Sequence, residues 1–169
     1  MIDHCAFAGT VTGGGERLTV AEVGGISADQ GTELDAGPSI TRCNMVGTVQ
    51  AVGIVVRVGG IVGVDYGHIE RTVFAGTVQY NYLPDNESEC GMGTLVGVTP
   101  YVEGERYLGN KNYRQGVVTW SGTYYLPIIG KDLNAQDAES AALSTVSGVT
   151  TFPYIQTLIL EEEYWYGKE

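Results

Sequence analysis

The chain has 169 residues and 18.0 kDa, enough for one domain with a sizeable core and too short to expect two. Nine basic residues stand against 20 acidic ones, a net charge of −11. That balance excludes nucleic acid and an anionic membrane face as main partners, because both need a basic footprint. Glycine, at 25 residues, lies far above its usual share of about 7%. With Val, Thr, Ile and Tyr also abundant, the composition implies an all-β fold. The 43% apolar content excludes disorder. No apolar run is long enough for membrane insertion, and the start MIDHCAFAGT lacks the basic and long apolar regions of a signal peptide. Three cysteines, Cys5, Cys43 and Cys90, form neither a CxxC nor an even disulfide framework.

Along the chain, two short patterns recur. The first is Ile2-Asp3-His4-Cys5-Ala6-Phe7-Ala8-Gly9-Thr10-Val11, which returns at Ile40 to Val49 and again at Ile69 to Val78. The second reads Val23-Gly24-Gly25-Ile26-Ser27-Ala28, then Val58 to Gly63, then Met92 to Gly97. Equivalent glycines Gly9, Gly47 and Gly76 lie 38 and then 29 residues apart. Periods of this order with strand-like content imply a solenoid or propeller, and one strand pair per period is thin for a propeller blade. Expected is a parallel β-helix-like solenoid of three or four coils over residues 1–130.

The repeats also sort the faces, since side chains alternate along a strand. In the first pattern Cys/Cys/Thr, Phe/Met/Phe, Gly and Val are expected inside, with His/Arg/Arg, Ala/Asn/Val, Ala/Val/Ala and Thr outside. In the second, Gly24/59/93, Ile26/Ile61/Leu95 and Ala28/Gly63/Gly97 are expected inside, with Gly25/Gly60/Thr94 and Ser27/Val62/Val96 outside. Thr10, Thr48 and Thr77 would stack as a ladder about 4.8 Å apart. Glycine would serve positive-φ corners and the close approach of facing sheets.

The two motifs together resemble the GLUG repeat of bacterial and archaeal surface proteins, in which a VGG(I/L)VG segment alternates with an I-x-x-C-x-x-x-G-T-V segment. Val58 to Gly63 and Ile40 to Val49 match closely, and the other copies depart at Ser27, Thr72 and Thr94. The resemblance covers roughly residues 1–97 and extends to a degenerate fourth coil at Val117 to Leu126, where Ser121-Gly122-Thr123 echoes the Gly-Thr step. It implies a parallel β-helix-like fold on a secreted or cell-surface protein, often adhesin-like, and it carries no catalytic residues.

Residues 131–169 leave the pattern. Asn134 with Asp137 three residues on reads as the N-terminus of a short helix through about Val146. Pro153 then precedes a strand-like Tyr154 to Leu160 run and three consecutive acids. This segment is expected to be a C-terminal cap. Met1 runs straight into a repeat, so the other end is expected to carry upstream coils or to meet another copy end to end.

Sites are scarce. His4 shares its repeat position with Arg42 and Arg71, which suits a solvated ladder better than a ligand set, and His68 takes the place of Ser39 at a corner. Neither lies in a metal-binding spacing, so no metal and no cofactor is expected. Cys5 and Cys43 share an inward position, and their parallel Cβ directions suit free thiols better than a disulfide. The acids fall in three loops: Asp29, Glu33 and Asp35; Asp85, Glu87 and Glu89; Glu103 and Glu105. A polysaccharide-active enzyme would need two of them paired across a cleft. No Gly-x-Ser-x-Gly nucleophile is present, and no catalytic residue is assigned. The positive candidates are aromatic: Tyr80, Tyr82, Tyr101, Tyr107 and Tyr113 in Gly- and Asn-containing loops, a composition suited to binding glycan or protein. The expected function is a non-catalytic structural and adhesive module, extracellular or at the cell surface. The alternatives are a polysaccharide enzyme on the same scaffold and a self-assembling surface repeat.

Overall fold

The computed structural model describes residues 1–17, 19–31, 39–81, 89–100, 107–108, 112–120, 123–125, 129–132 and 149–151. Among them no α-helix occurs. The strands run β1 (Ile2–Asp3), β2 (Ala6–Gly14), β3 (Val20–Gly24) and β4 (Ser27–Gln30), then β5 (Ser39–Thr41), β6 (Asn44–Val52), β7 (Val55–Gly59) and β8 (Val62–Asp65). They continue with β9 (His68–Glu70), β10 (Val73–Asn81), β11 (Gly91–Gly93) and β12 (Val96–Thr99). Last come β13 (Tyr107–Leu108), β14 (Asn112–Trp120), β15 (Thr123–Tyr125), β16 (Ile129–Asp132) and β17 (Val149–Thr151). Val, Ile and Thr dominate these segments, and their branched Cβ atoms fit a pleated surface better than a helix.

The order of pairing is regular. β1, β5, β9 and β13 form one sheet; β2, β6, β10 and β14 form a second, longer one; β3, β7 and β11 a third; β4, β8, β12 and β16 a fourth. Within each, neighbours pair in parallel. From β1 to β12 the chain therefore visits each sheet once before returning to the first. The fold is all-β and parallel, as the composition and repeats imply. The long sheet ends at β14, where β15 turns back antiparallel and β17 joins in parallel.

Register follows the repeats residue by residue. Gly9 lies opposite Gly47, Gly47 opposite Gly76 and Gly76 opposite Gly116. Thr10, Thr48 and Thr77 stand in one row, as expected. The fourth strand of the long sheet is thus Asn112–Trp120, with its Gly at 116. The expected Gly-Thr step at Gly122-Thr123 is not the counterpart; Thr123 begins the antiparallel β15.

The core lies between the sheets. Met45, Val49, Ala51, Phe74 and Val78 project from the long sheet onto Val56, Val58, Ile61, Val62, Leu95 and Val96, all fully buried. Burying an aromatic such as Phe74 stabilises by about 1.5–3 kcal/mol. Room for its ring comes from Gly60, where a Cβ would overlap the ring and the Thr94 carbonyl oxygen. Met45 stands in the same relation to Gly25. Facing sheets do approach closely at glycine, but at Gly25 and Gly60, which with the fully buried Thr94 occupy positions the repeats place outside.

Several facing assignments are corrected. Asn44 and Val73, expected outside, are fully buried; each follows a corner, Asn44 two residues after Arg42 and Val73 two residues after Arg71. Val62 and Val96, also expected outside, are core residues. They follow the Gly-Gly and Gly-Thr corner steps, where the chain bends between sheets and strict alternation lapses. Glycine serves positive-φ turns at Gly14 (φ +92°) and Gly31 (φ +81°), as expected, but not at the corner into the long sheet. The left-handed residues there are His4, Arg42 and Arg71, each with φ near +53°. Gly47 and Gly76 sit in mid-strand at φ +133° and +156°, where a Cβ would run into the carbonyl oxygen of the preceding strand's glycine.

The short helix expected at 134–146, and the Tyr154 to Leu160 run, lie outside the described residues.

Candidate functional site

The densest polar cluster forms where the first sheet turns into the long one. The left-handed conformation of His4, Arg42 and Arg71 is unfavourable for residues with a Cβ by about 1–2 kcal/mol each, and the same turn recurs on three successive strands. Its backbone is satisfied across strands: His4 N–H donates to Thr41 O at 3.3 Å, and Arg42 N–H to Glu70 O at 3.1 Å. Asn44 N–H donates to Cys5 O, and Val73 N–H to Cys43 O.

Asp3 is the hub of the side chains. Its carboxylate accepts from Arg42 Nε at 2.8 Å and Nη2 at 2.7 Å, a two-point clasp, and from Thr41 Oγ1 at 2.5 Å. His4 Nδ1 lies 2.7 Å from the other carboxylate oxygen. The Arg42 guanidinium beside it holds the Asp3 carboxyl well below the usual range, with Thr41 and His4 adding to this against the opposing effect of burial. One strand further, His68 Nε2 lies 3.3 Å and Arg71 Nε 3.6 Å from the Glu70 carboxylate. His68 stands opposite Ser39, as the repeats imply, as the first residue of β9. The row His4, Arg42, Arg71 is therefore no freely solvated ladder: each member turns a corner, and each lies within reach of a carboxylate.

The next residue in the turn is Cys5, Cys43, Thr72 and, in β14, Asn112. Asn112 is fully buried and closes the series with a polar clamp. Its Oδ1 accepts from Thr72 N–H and Oγ1 at 3.0 Å each, and its Nδ2 donates to Ile69 O at 2.9 Å. Repeat comparison missed this residue because Asn112 follows Leu108 by one residue more than Thr72 follows Ile69. All three cysteines are free thiols, with Cys5 exposed and Cys43 and Cys90 buried. Burial, together with the neighbouring Cys5 and Asp3, pushes the Cys43 thiol up to about 11. Cys90 is likewise raised by burial, and its Sγ accepts from Val56 N–H at 3.3 Å.

A second charged group crosses the third sheet, where Arg57 Nη1 donates to Glu22 at 2.8 Å. Asp29 is raised by burial first and then by Glu22. Asp29, expected in a loop, lies in β4 opposite Val64, and Glu89 is the other described member of the three acidic groups; Glu33, Asp35, Asp85, Glu87, Glu103 and Glu105 lie outside the described residues. Among the described residues no group of three or more His, Cys, Asp or Glu is arranged to hold a metal ion.

The tyrosines divide. Tyr80 is 8% exposed and packs in the core, which corrects its assignment to a binding loop: it is the eighth residue of β10, and alternation from Val78 turns it inward. Tyr107 lies in β13 and Tyr113 in β14. Tyr82 and Tyr101 lie outside the described residues.

Compared with known protein families, curated proteins and solved structures, the chain matches none of them.

Proposed function

We propose that the chain is a β-solenoid of three to four coils, of the GLUG-repeat kind, serving as a non-catalytic structural and adhesive module of a secreted or cell-surface protein. The observation that supports this reading is the rotation of the strands through four sheets with repeat-equivalent residues in register, Gly9 to Gly47 to Gly76. Such an arrangement is a scaffold: each turn buries its apolar face only against its neighbours, and in solenoids insertions between repeats generally fall on one face. The contacts are assigned to Tyr82 and Tyr101, which the sequence alone places in loops, with glycan or cell-surface protein as ligand. The test is the full chain on glycan and protein arrays beside a Tyr82→Ala/Tyr101→Ala variant. Binding that disappears in the variant supports the assignment, and an array without hits overturns adhesion.

A second reading, end-to-end self-association, is favoured by the exposure of Phe7 (40%) and Val20 (42%) on β2 and β3, whose equivalents Met45 and Val55 are buried. Among the described residues β2 pairs only with β6, and its nine residues include no charge and no proline. Mass by light scattering that rises with concentration supports this, and a strict monomer at high concentration overturns it.

A further inference from the structure

Two of the three thiols stand as a pair that neither the corner network nor the tyrosine loops use. The histidines fit no metal spacing, but thiols are metal ligands in their own right. Asp3 pairs with Thr41 and Ala6 with Asn44, so Cys5 stands opposite Cys43 on adjacent parallel strands. Asn44 N–H donates to Cys5 O across the same step. The two side chains take one pose: Cys5 Sγ lies 3.6 Å from Asp3 O and Cys43 Sγ 3.1 Å from Thr41 O, each reaching back to the carbonyl two residues earlier. The series carries thiols at these two places only, since its next members are Thr72 and Asn112.

Side chains in one pose on neighbouring parallel strands are offset by the strand separation, about 4.8 Å. A disulfide needs its sulfurs about 2.05 Å apart, so in this pose the two do not bond. A metal–thiolate bond of about 2.3 Å, taken twice in a line, spans about 4.6 Å. The spacing belongs to every parallel pair in the molecule; what singles this one out is a thiol at both ends. The two groups also act on one another directly. The Cys5 thiol is a hydrogen-bond partner of the Cys43 thiol, and the Cys5 backbone N–H faces the Cys43 sulfur and favours its thiolate. The sulfurs are thus neighbours in space as well as in register.

Ligand number selects the metal. Zn²⁺ takes four ligands and Ca²⁺ six or more, and among the described residues no group of three or more His, Cys, Asp or Glu is arranged to supply them. The nearby Asp3 carboxylate is taken up by Arg42, Thr41 and His4. Two soft thiolates in line suit a soft, closed-shell monovalent cation, Cu(I). Two thiols and one Cu⁺ give a bis-thiolate of net charge −1 and release two protons to solvent, with no change of oxidation state. Coordination removes the Cys43 proton despite its burial, as it does for thiols generally. Cys5 is exposed and Cys43 buried, so the cation enters at Cys5 and is shielded from water at Cys43.

We propose that Cys5 and Cys43 form a two-coordinate site for Cu(I), held in line between adjacent strands. This goes beyond the adhesive reading and does not depend on it.

The test is anaerobic titration of the reduced full chain with Cu(I) against a chromogenic Cu(I) chelator. One Cu(I) retained per chain is expected, with X-ray absorption showing two sulfur neighbours. No retention overturns the proposal, as does a shell of nitrogen, oxygen or three sulfurs. Cys5→Ser, at an exposed position and therefore expected to fold, should weaken retention at least about tenfold; retention equal to that of the native sequence overturns the site. Cys43→Ser with an unchanged circular dichroism spectrum carries the same expectation. Cys90→Ser keeps the copper, and loss there overturns the pair. In the native sequence, bound Cu(I) should protect Cys5 from an alkylating reagent, and full labelling with copper retained overturns the assignment. A mass that doubles on copper addition shows Cys5 bridging two chains and overturns its pairing with Cys43.

Discussion

Gly47 illustrates how a residue's role can differ from its apparent one. Comparison of repeats marks it as invariant and small, which suggests an interior position; its backbone shows a φ of +133° in mid-strand, with the Gly9 carbonyl oxygen where a Cβ would lie. Gly47→Ala is therefore expected to destabilise by at least about 1–3 kcal/mol, read as a fall of about 2–4 °C in Tm per kcal/mol. Gly15→Ala, where a Cβ would meet nothing within 4 Å, is the control. Asp3 supplies a pH signature. Its folded carboxyl titrates below the ordinary value of 3.8, so its clasp with Arg42 stabilises fully above that pH and is lost as the pH falls further. Urea titrations from pH 5 to 2 should show this loss in the native sequence and a flatter profile in Asp3→Asn. Cys43 behaves oppositely. Its thiol holds its proton to about 11 when folded and to 9.0 when unfolded, so stability declines across that window as pH rises. At pH 8 an alkylating reagent should label Cys5 in the native protein and all three thiols after unfolding, and labelling of native Cys43 would contradict its burial.

At the scale of elements, the corner between the first and long sheets does more than change direction. Three left-handed residues that carry side chains are held there by cross-strand hydrogen bonds and carboxylates, and the series ends on the Asn112 clamp. Asn112→Ala strips Thr72 N–H of its partner in a buried setting and is expected to cost about 1–3 kcal/mol. Asn112→Asp loses the donor to Ile69 O and sets a carboxylate against it in a fully buried site, so at neutral pH it should cost at least as much. Both are checked by denaturant unfolding. The packing element is the pairing of a large side chain on the long sheet with a glycine at the opposing corner. Phe74→Ala empties that space and is expected to cost about 3–5 kcal/mol. The strand assignments were legible because the repeats align three copies and so average out local ambiguity. The facing errors at Asn44, Val73, Val62 and Val96 all lie next to corners, where period-2 alternation stops applying.

For the molecule as a whole, stability should vary along the stack. β6 and β10 are paired on both sides and carry the most deeply buried residues, whereas β2 is paired on one side and its inward Phe7 is 40% exposed. Amide exchange should accordingly be slowest in β6 and β10 and faster in β2 by the difference in local opening free energy. Uniform protection across the three strands would show that the stack opens only as a unit.

The sequence by itself determined the all-β class, the parallel pairing order and the register, because a repeat that returns glycine and threonine to equivalent places can satisfy its backbone only by stacking like on like. It also marked the threonine row. Tertiary structure decided what local pattern cannot encode: which residues turn the corners, that Tyr80 belongs to the core, that Asn112 closes the cysteine position, and that Asp3 clasps an arginine 39 residues away. These depend on the bend between sheets and on contacts between strands, whose geometry is set by the stacked backbone and not by neighbours in the chain.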